Sequence, residues 1–497
     1  MPNHAHQHTD SRDFALPGRA KGAIVAAIRA PHQRIKASVP MRSFLQATAI
    51  VGALALVPVA TSAMAEADTD SYRELDKFMD VFNRVKANYV DKVTDEQLVK
   101  GAIDGMLASL DPHSSYEDAL DFENLRIQTE GNYGGLGITV TAEDGVVKVI
   151  APQEDTPADR AGIKAGDYIT HIDGKLIYGS SLDDSIELMR GKPGTKIALT
   201  LVRPGRDKPI DVTLTREVIV QKPVKWEVRG DVGVININTF SESTGADTKA
   251  AIVAIDKALG HRPLGYVIDL RDNGGGLLTE AIAVSDAFLD HGEIVSQRGR
   301  EATDIERYYS ESAIPGDLTH GLPLIVLTNA GTASASEIVA GALQDQHRAL
   351  VMGERSFGKG SVQTLLPLGP KSALRLTTAR YYTPSGRSVQ EGGIVPDVAV
   401  PQLSDPDYKT RPVFRENDLR RHLINEVKAD DPILLDDDKD DPRFSATAEE
   451  LKKKGVEDYQ LNYAVTTIAR LGGPTAIAAA SPKPPAPAAK STASKKN

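Results

Sequence analysis

The chain of 497 residues contains no cysteine, a single tryptophan and only 5% aromatic residues. Without cysteine there is no disulfide, no thiolate nucleophile and no cysteine-ligated metal. Basic runs interleaved with aromatics are missing too, and the net charge is −10, which argues against nucleic-acid binding. Long hydrophobic runs are scarce. One stands out, Phe44 to Ala60, preceded by Met41-Arg42 and followed by Ala63-Met64-Ala65. A charged start, an apolar centre and a small-x-small end make a secretory signal peptide, with Glu66 as the first mature residue. Extended to Ala63, the same stretch approaches the ~20 residues that span a bilayer, so an uncleaved anchor is the alternative. Pro58 and the Ala-Met-Ala ending favour cleavage. Either way the chain is expected to be exported, to the periplasm or cell envelope. Residues 1–40 resemble no signal n-region, and Met41 is read as the true start.

What is present, 41% hydrophobic and 25% charged residues, is the composition of a soluble globular protein. The length asks for two to four domains. Behind the leader (1–65), residues 66–130 form a helical region: Leu75, Phe78, Met79, Phe82 and Val85 recur at helical spacing, as do Leu98, Ile103, Met106 and Leu107. That apolar face packs either on its own core or on a second copy. Residues 131–217 are β-rich. From 218 to 402, strands (Val232–Ile237, Tyr266–Leu270, Leu324–Leu327, Ala349–Met352) alternate with helices (Thr244–Leu259, Glu280–Phe288, Ser336–Asp345), the pattern of an α/β core with a crossover-linked sheet. Residues 403–472 form a C-terminal helical region, with Asp436 to Asp441 as a solvated turn. The Ala-, Pro-, Lys- and Ser-rich residues 473–497 are expected to be disordered.

In the β-rich segment, Gly134-Gly135-Leu136-Gly137-Ile138 precedes the strand Val146–Ile150, a Thr156 to Asp167 segment rich in small residues, the helix Asp183–Arg190 and the strand Lys196–Val202. This order resembles a PDZ domain. The resemblance implies that Gly135, Leu136, Gly137 and Ile138 form a carboxylate-binding loop whose N–H groups meet a peptide C-terminus, with the next strand edge accepting the peptide. A plain glycine turn is the alternative for the loop alone.

Two residues stand in unusual company. Ser334 lies in Gly331-Thr332-Ala333-Ser334-Ala335-Ser336-Glu337, at a strand-to-helix transition. Lys359 follows 25 residues later in Phe357-Gly358-Lys359-Gly360-Ser361-Val362-Gln363. A serine hydroxyl needs a base to act as a nucleophile, and a neutral lysine can serve. Ser334 and Glu337 also read as a capping box, in which the serine merely caps the helix. A third segment, Asp269-Leu270-Arg271-Asp272-Asn273-Gly274-Gly275-Gly276, follows a buried strand with glycines that let backbone approach a substrate. Gln363, four residues after Lys359, shares its face in a strand or a helix, and its amide can hold the amine.

Together these segments resemble the carboxy-terminal processing proteases, over about Leu75 to Leu471. The resemblance implies an α/β serine-protease core of the crotonase-like type. It implies Ser334 as nucleophile, Lys359 as general base, Gln363 as its orienter, and an oxyanion hole from the N–H groups of Gly276 and Ala335. Gly274 stands where proline is common, which would loosen the loop. Asp345, eleven residues past Ser334, is read as structural. No metal or cofactor is needed. Arg190 is matched by an arginine thought to link the PDZ domain to the catalytic site, but it also suits a cation at a helix C-terminus, and both readings stand.

The reading is an exported endopeptidase acting on proteins or peptides with free C-termini. A homodimer and an adaptor-bound form both remain open. The alternatives are an inactive PDZ scaffold and an acyl-CoA hydratase or isomerase. The last would need neither an export signal nor a PDZ domain.

Overall fold

The computed structural model describes residues 59–143, 145–310, 316–425 and 443–472, with side chains from residue 70 onward. The stretch Phe44 to Ala60 lies almost wholly outside them, and the acidic run Asp436 to Asp441 and the tail after Gly472 lie wholly outside. Among the described residues no helix is long and apolar enough to cross a membrane.

Met1–Ala87 and Asn88–Asn497 are separate compact units. In the first, the helix Val59–Asn88 carries the expected periodic residues, with the Phe78 and Phe82 rings 6.3 Å apart. The second unit opens on the helix Asp95–Ala108. Thr94 caps it by accepting the Gln97 N–H at 3.1 Å, while the Gln97 side chain accepts the Thr94 N–H at 2.9 Å.

The core is a six-stranded sheet in the spatial order Val224–Arg229, Val232–Ile237, Gly265–Asp269, Leu324–Thr328, Leu350–Gly353, Val398–Ala399. The first pair is antiparallel and the rest are parallel. Runs such as Leu324 to Leu327 are apolar throughout because both faces are covered. Alternate residues face opposite ways: Ile268, Val326 and Val351 pack on the helices Thr244–Leu259, Leu278–Asp286 and Ala335–Asp345. Val267, Ile325 and Met352 pack on the C-terminal helix Tyr459–Gly472 through Leu461, Ala464 and Ile468.

A second sheet is built on the long strand Ser372–Tyr382. It pairs with Ser115–Glu117, Ser361–Gly369 and Glu293–Arg298, the last carrying Ile305–Tyr309. Its first strand comes from the N-terminal part of the unit, so the sheet joins distant chain segments around the lysine motif.

The β-rich domain is a separate antiparallel sheet, ordered Ile138–Glu143, Val146–Pro152, Tyr168–Ile172, Lys196–Val202, Ile210–Thr215, with its own core of Val147, Ile169, Leu199 and neighbours. The chain enters and leaves it along a two-stranded ribbon, Asn132–Gly135 against Glu217–Val220.

Candidate active site

The three motifs leave the carboxyl ends of three adjacent parallel strands. Asn273 to Gly276 follows Gly265–Asp269, Ser334 follows Leu324–Thr328, and Lys359 follows Leu350–Gly353. In open α/β sheets that edge is where loops converge on ligands.

Ser334 has φ 56° and ψ −116°, a left-handed conformation that costs a non-glycine residue energy and needs outside support. Support comes from Asn273, whose carbonyl accepts the Ala333 N–H at 3.0 Å and the Ser336 hydroxyl at 2.9 Å. Glu337 adds to it by accepting the Ser334 N–H at 2.7 Å. The Glu337 N–H donates to the Ser334 carbonyl at 2.8 Å, and the Ser334 side chain makes no cap hydrogen bond. The capping reading therefore holds only on the Glu337 side, and the hydroxyl is left for other work.

The glycine loop is pinned rather than loose. Asn273, fully buried, donates its amide to the Ile237 carbonyl at 2.7 Å and accepts the Gly275 N–H at 2.9 Å. Gly276 has φ 146°, and a Cβ there would lie 2.2 Å from the Phe240 carbonyl oxygen. Gly274 has open space around it. Gly275 lies against Ser334 and the Ala335 nitrogen. Among the described residues, no backbone acceptor takes the N–H of Gly276 or of Ala335.

Lys359 is half-buried in the loop before Ser361–Gly369. Burial pushes its ammonium pKa down, and the Arg375 guanidinium adds to that; Glu416, Glu337 and Asp111 pull the other way. The loop's backbone is held from three sides. Glu337, fully buried, accepts the Ser356 hydroxyl at 2.6 Å and the N–H groups of Gly358 and Lys359 at 2.7 and 3.0 Å. Burial pushes the Glu337 carboxyl up to about 7 in spite of those hydrogen bonds. The Tyr381 hydroxyl, also buried, donates to the Lys359 carbonyl and has the Ser334 hydroxyl as a hydrogen-bond neighbour. Gln390 accepts the Gly360 N–H at 3.0 Å and donates to Glu416, which also binds His113 Nε2 at 2.9 Å.

Gln363 departs from the simple face argument. Lys359 lies outside the strand, and the pairing register shifts between Val362 and Gln363, so counting residues does not place the two on one face. The Gln363 amide nitrogen donates to Ser361 Oγ at 2.9 Å and Thr377 Oγ1 at 3.3 Å. Asp345 turns away from these groups: its carboxylate accepts the Ser385 N–H at 2.9 Å and lies 3.5 Å from Arg387.

Ser334, Ala335, Lys359, Gln363 and Gly276 line one cavity of about 800 Å³, with Tyr381 and Arg375. Phe240, Leu278, Val295, Ile338 and Val362 make its apolar wall. Among the described residues no cluster of His, Asp and Glu is placed to hold a metal.

Gly135, Leu136, Gly137 and Ile138 lie elsewhere, in the β-rich domain. Gly137 has φ 72°, and a Cβ there would lie 2.4 Å from the Thr156 side chain. Ile138 starts a strand paired on one side only, and half-buried Ile138, Val140, Leu182 and Ile186 pack against the same core. Arg190 ends that helix and does not reach the cavity. It donates to Asn124 Oδ1 and lies over the Tyr133 ring at 5.4 Å. Asn124 belongs to the helix Ala119–Glu130, which lends Phe122, Leu125 and Thr129 to the cavity wall.

Sequence reasoning passed over Asp111, His113, Arg375, Tyr381 and Glu416 as site residues. It saw Glu337 only as a cap.

Comparison with known proteins agrees with this anatomy. Residues 231–400 match "Peptidase family S41", residues 134–214 "PDZ domain", and residues 51–120 "Activating protease CtpB N-terminal domain". The chain is 47% identical over 411 residues to a carboxy-terminal-processing protease of Bartonella bacilliformis, covering 82% of this chain and 91% of that one. It is 34% identical over 384 residues to the carboxy-terminal processing protease CtpB of Bacillus subtilis, covering 76% and 78%. Among solved structures, a photosystem II D1 C-terminal processing protease matches at 31% identity over 65% of this chain and 92% of that one, with a TM-score of 0.40. With serine and lysine motifs at the ends of adjacent strands and a relative this similar along most of its length, the chain belongs to the carboxy-terminal processing proteases, serine-type peptidases of family S41 that carry a PDZ domain.

Proposed function

We propose that the protein is an exported serine endopeptidase that recognises substrates by their free C-terminal tails. Ser334 is the nucleophile, Lys359 the general base, Gln363 its orienter, and the N–H groups of Gly276 and Ala335 the oxyanion hole. One observation carries this: all five residues line a single cavity, with the lysine half-buried and its pKa lowered by desolvation. A lysine drawn partly out of water loses its proton more readily, which is what a base requires. Neutral Lys359 takes the Ser334 proton as Oγ attacks a peptide carbonyl. The two N–H groups hold the developing oxyanion, the amine leaves with a proton from Lys359, and water then releases the acyl group. The apolar wall suits a substrate with a small or apolar side chain beside the cut. The loop Gly135 to Ile138 and the open strand edge behind it receive the tail.

The test is hydrolysis of a peptide with a free apolar C-terminus, compared with its C-terminally amidated form. Ser334→Ala and Lys359→Ala are each expected to abolish cleavage while the fold survives, and amidation to weaken it. Substantial turnover by Lys359→Ala sinks the Ser–Lys assignment. Inactivity of the native protein, with tail binding intact, favours the scaffold reading. Export is tested by N-terminal sequencing of protein from the envelope fraction: a chain starting at Glu66 supports a cleaved signal, one starting at or before Met41 an anchor. A homodimer or an adaptor-bound form belongs to the same proposal, and sedimentation of the mature chain alone and from envelope extracts separates them.

A further inference from the structure

Asp111 is buried, at 3% exposure. Its carboxylate accepts the N–H groups of His113 and Ser114 at 2.8 and 2.9 Å, the Ser114 hydroxyl at 2.7 Å and the Thr377 hydroxyl at 3.1 Å. Burial alone would raise this carboxyl, but the hydrogen bonds, Ser114 foremost, outweigh it and hold it below the usual carboxylate range. It is ionised at neutral pH, and an ionised carboxylate only accepts.

A proton inventory follows from that. Thr377 has one hydroxyl proton, and it is committed to Asp111. The Thr377 oxygen can then only accept from its neighbour Gln363, 3.3 Å away. The two ends of a glutamine amide are nearly alike in shape, and hydrogen bonding decides between them. Here the NH2 end must face Thr377 and Ser361. Oε1 is left as the acceptor that Gln363 brings to the cavity it shares with Lys359.

We propose that Asp111, acting through Thr377, is a positioning residue that selects the amide orientation of Gln363 on which Lys359 depends. A neutral amine has two N–H donors and one lone pair. If Oε1 accepts an N–H, the lone pair is free to take the proton of Ser334. With the amide reversed, the NH2 group would donate to that lone pair and compete with the serine. Asp111 lies outside the peptidase match at 231–400, in the segment that matches a CtpB N-terminal domain. The N-terminal part of the chain thus contributes one carboxylate that meets Gln363 through Thr377.

The inference rests on the role given to Gln363 above, and a double-mutant cycle separates the two. Asp111→Asn keeps the shape but can donate to Thr377 and permit the reversed amide. It should lower kcat at least about tenfold with KM nearly unchanged. Thr377→Val should do the same and Thr377→Ser should recover what Thr377→Val loses, which covers the case of a poorly folded Asp111→Asn. In a Gln363→Ala background neither substitution should lower kcat further. If Gln363→Ala alone is fully active, the role of Gln363 fails and the relay with it. If Gln363→Ala is impaired but the Asp111 or Thr377 effect persists in its background, or is absent from the native background, the relay alone is overturned. A direct effect of the Asp111 charge on Lys359 gives the persistent result, so it counts against the relay.

Discussion

Ser334 and Lys359 donate their backbone N–H groups to the same oxygen, Oε2 of Glu337, at 2.7 and 3.0 Å. One buried carboxylate thus sets the separation of the loops that carry the proposed nucleophile and base. Its other oxygen holds Ser356 and Gly358.

Glu337→Gln replaces one of those oxygens with an NH2 group that faces two donors. Each buried donor left unpaired costs about 1–3 kcal/mol, and a shift of about 1 Å in the loops costs about 10²-fold in rate. Thermal unfolding should show the loss of stability, and peptide hydrolysis a fall of about two orders of magnitude in kcat/KM. Near-native turnover would remove Glu337 from the site's architecture.

Activity should rise with pH through about 7. Lys359 must be neutral, and its lowered pKa makes it so at a lower pH than an ordinary lysine. Glu337 must accept from four donors, and its carboxyl, pushed up to about 7, takes a proton below that value. Acid protonates both groups, and both changes act against catalysis, so the profile has an acid limb. A kcat/KM profile from pH 5 to 9 that is flat, or highest at the acid end, contradicts this.

Gly276→Ala should be far more harmful than Gly274→Ala. The first places a Cβ 2.2 Å from the Phe240 carbonyl oxygen at a φ of 146°; the second meets nothing within 4 Å. Unfolding midpoints of the two variants give the comparison. Equal midpoints would mean that the loop is not held as described.

Arg190→Ala should lower cleavage of tailed peptides while leaving tail binding almost unchanged. The residue touches Asn124, on a helix whose other side chains line the cavity, so its contact lies between the two sites. Titration of a labelled tail peptide alongside its cleavage rate decides the matter. Equal loss of both, or of neither, leaves Arg190 as a helix-terminal cation.

The central sheet was legible because buried parallel strands are written as short apolar runs, such as Tyr266–Leu270, between helical patterns. Ser334, Lys359 and the glycine loop were legible because each sits in a contiguous, unusual stretch. The rest of the site has no local signature. Glu337 shows only its i+3 relation to Ser334, while its partners Ser356, Gly358 and Lys359 lie about twenty residues away. Arg375, Tyr381 and Asp111 look like ordinary members of a strand or a turn until the second sheet brings them to the lysine. Gln363 shows the limit of counting along a strand, since one register shift breaks the rule on which the count depends.

The contact between His113 and Glu416 spans 303 positions in the chain. During synthesis, residue 113 has long been made before residue 416 exists. A link of that span gains nothing until most of the intervening fold has already drawn its ends together. Through Gln390 it steadies Gly360, next to the lysine. An emerging or prematurely ended chain therefore lacks this brace on the lysine loop, which is completed only when residue 416 has been made.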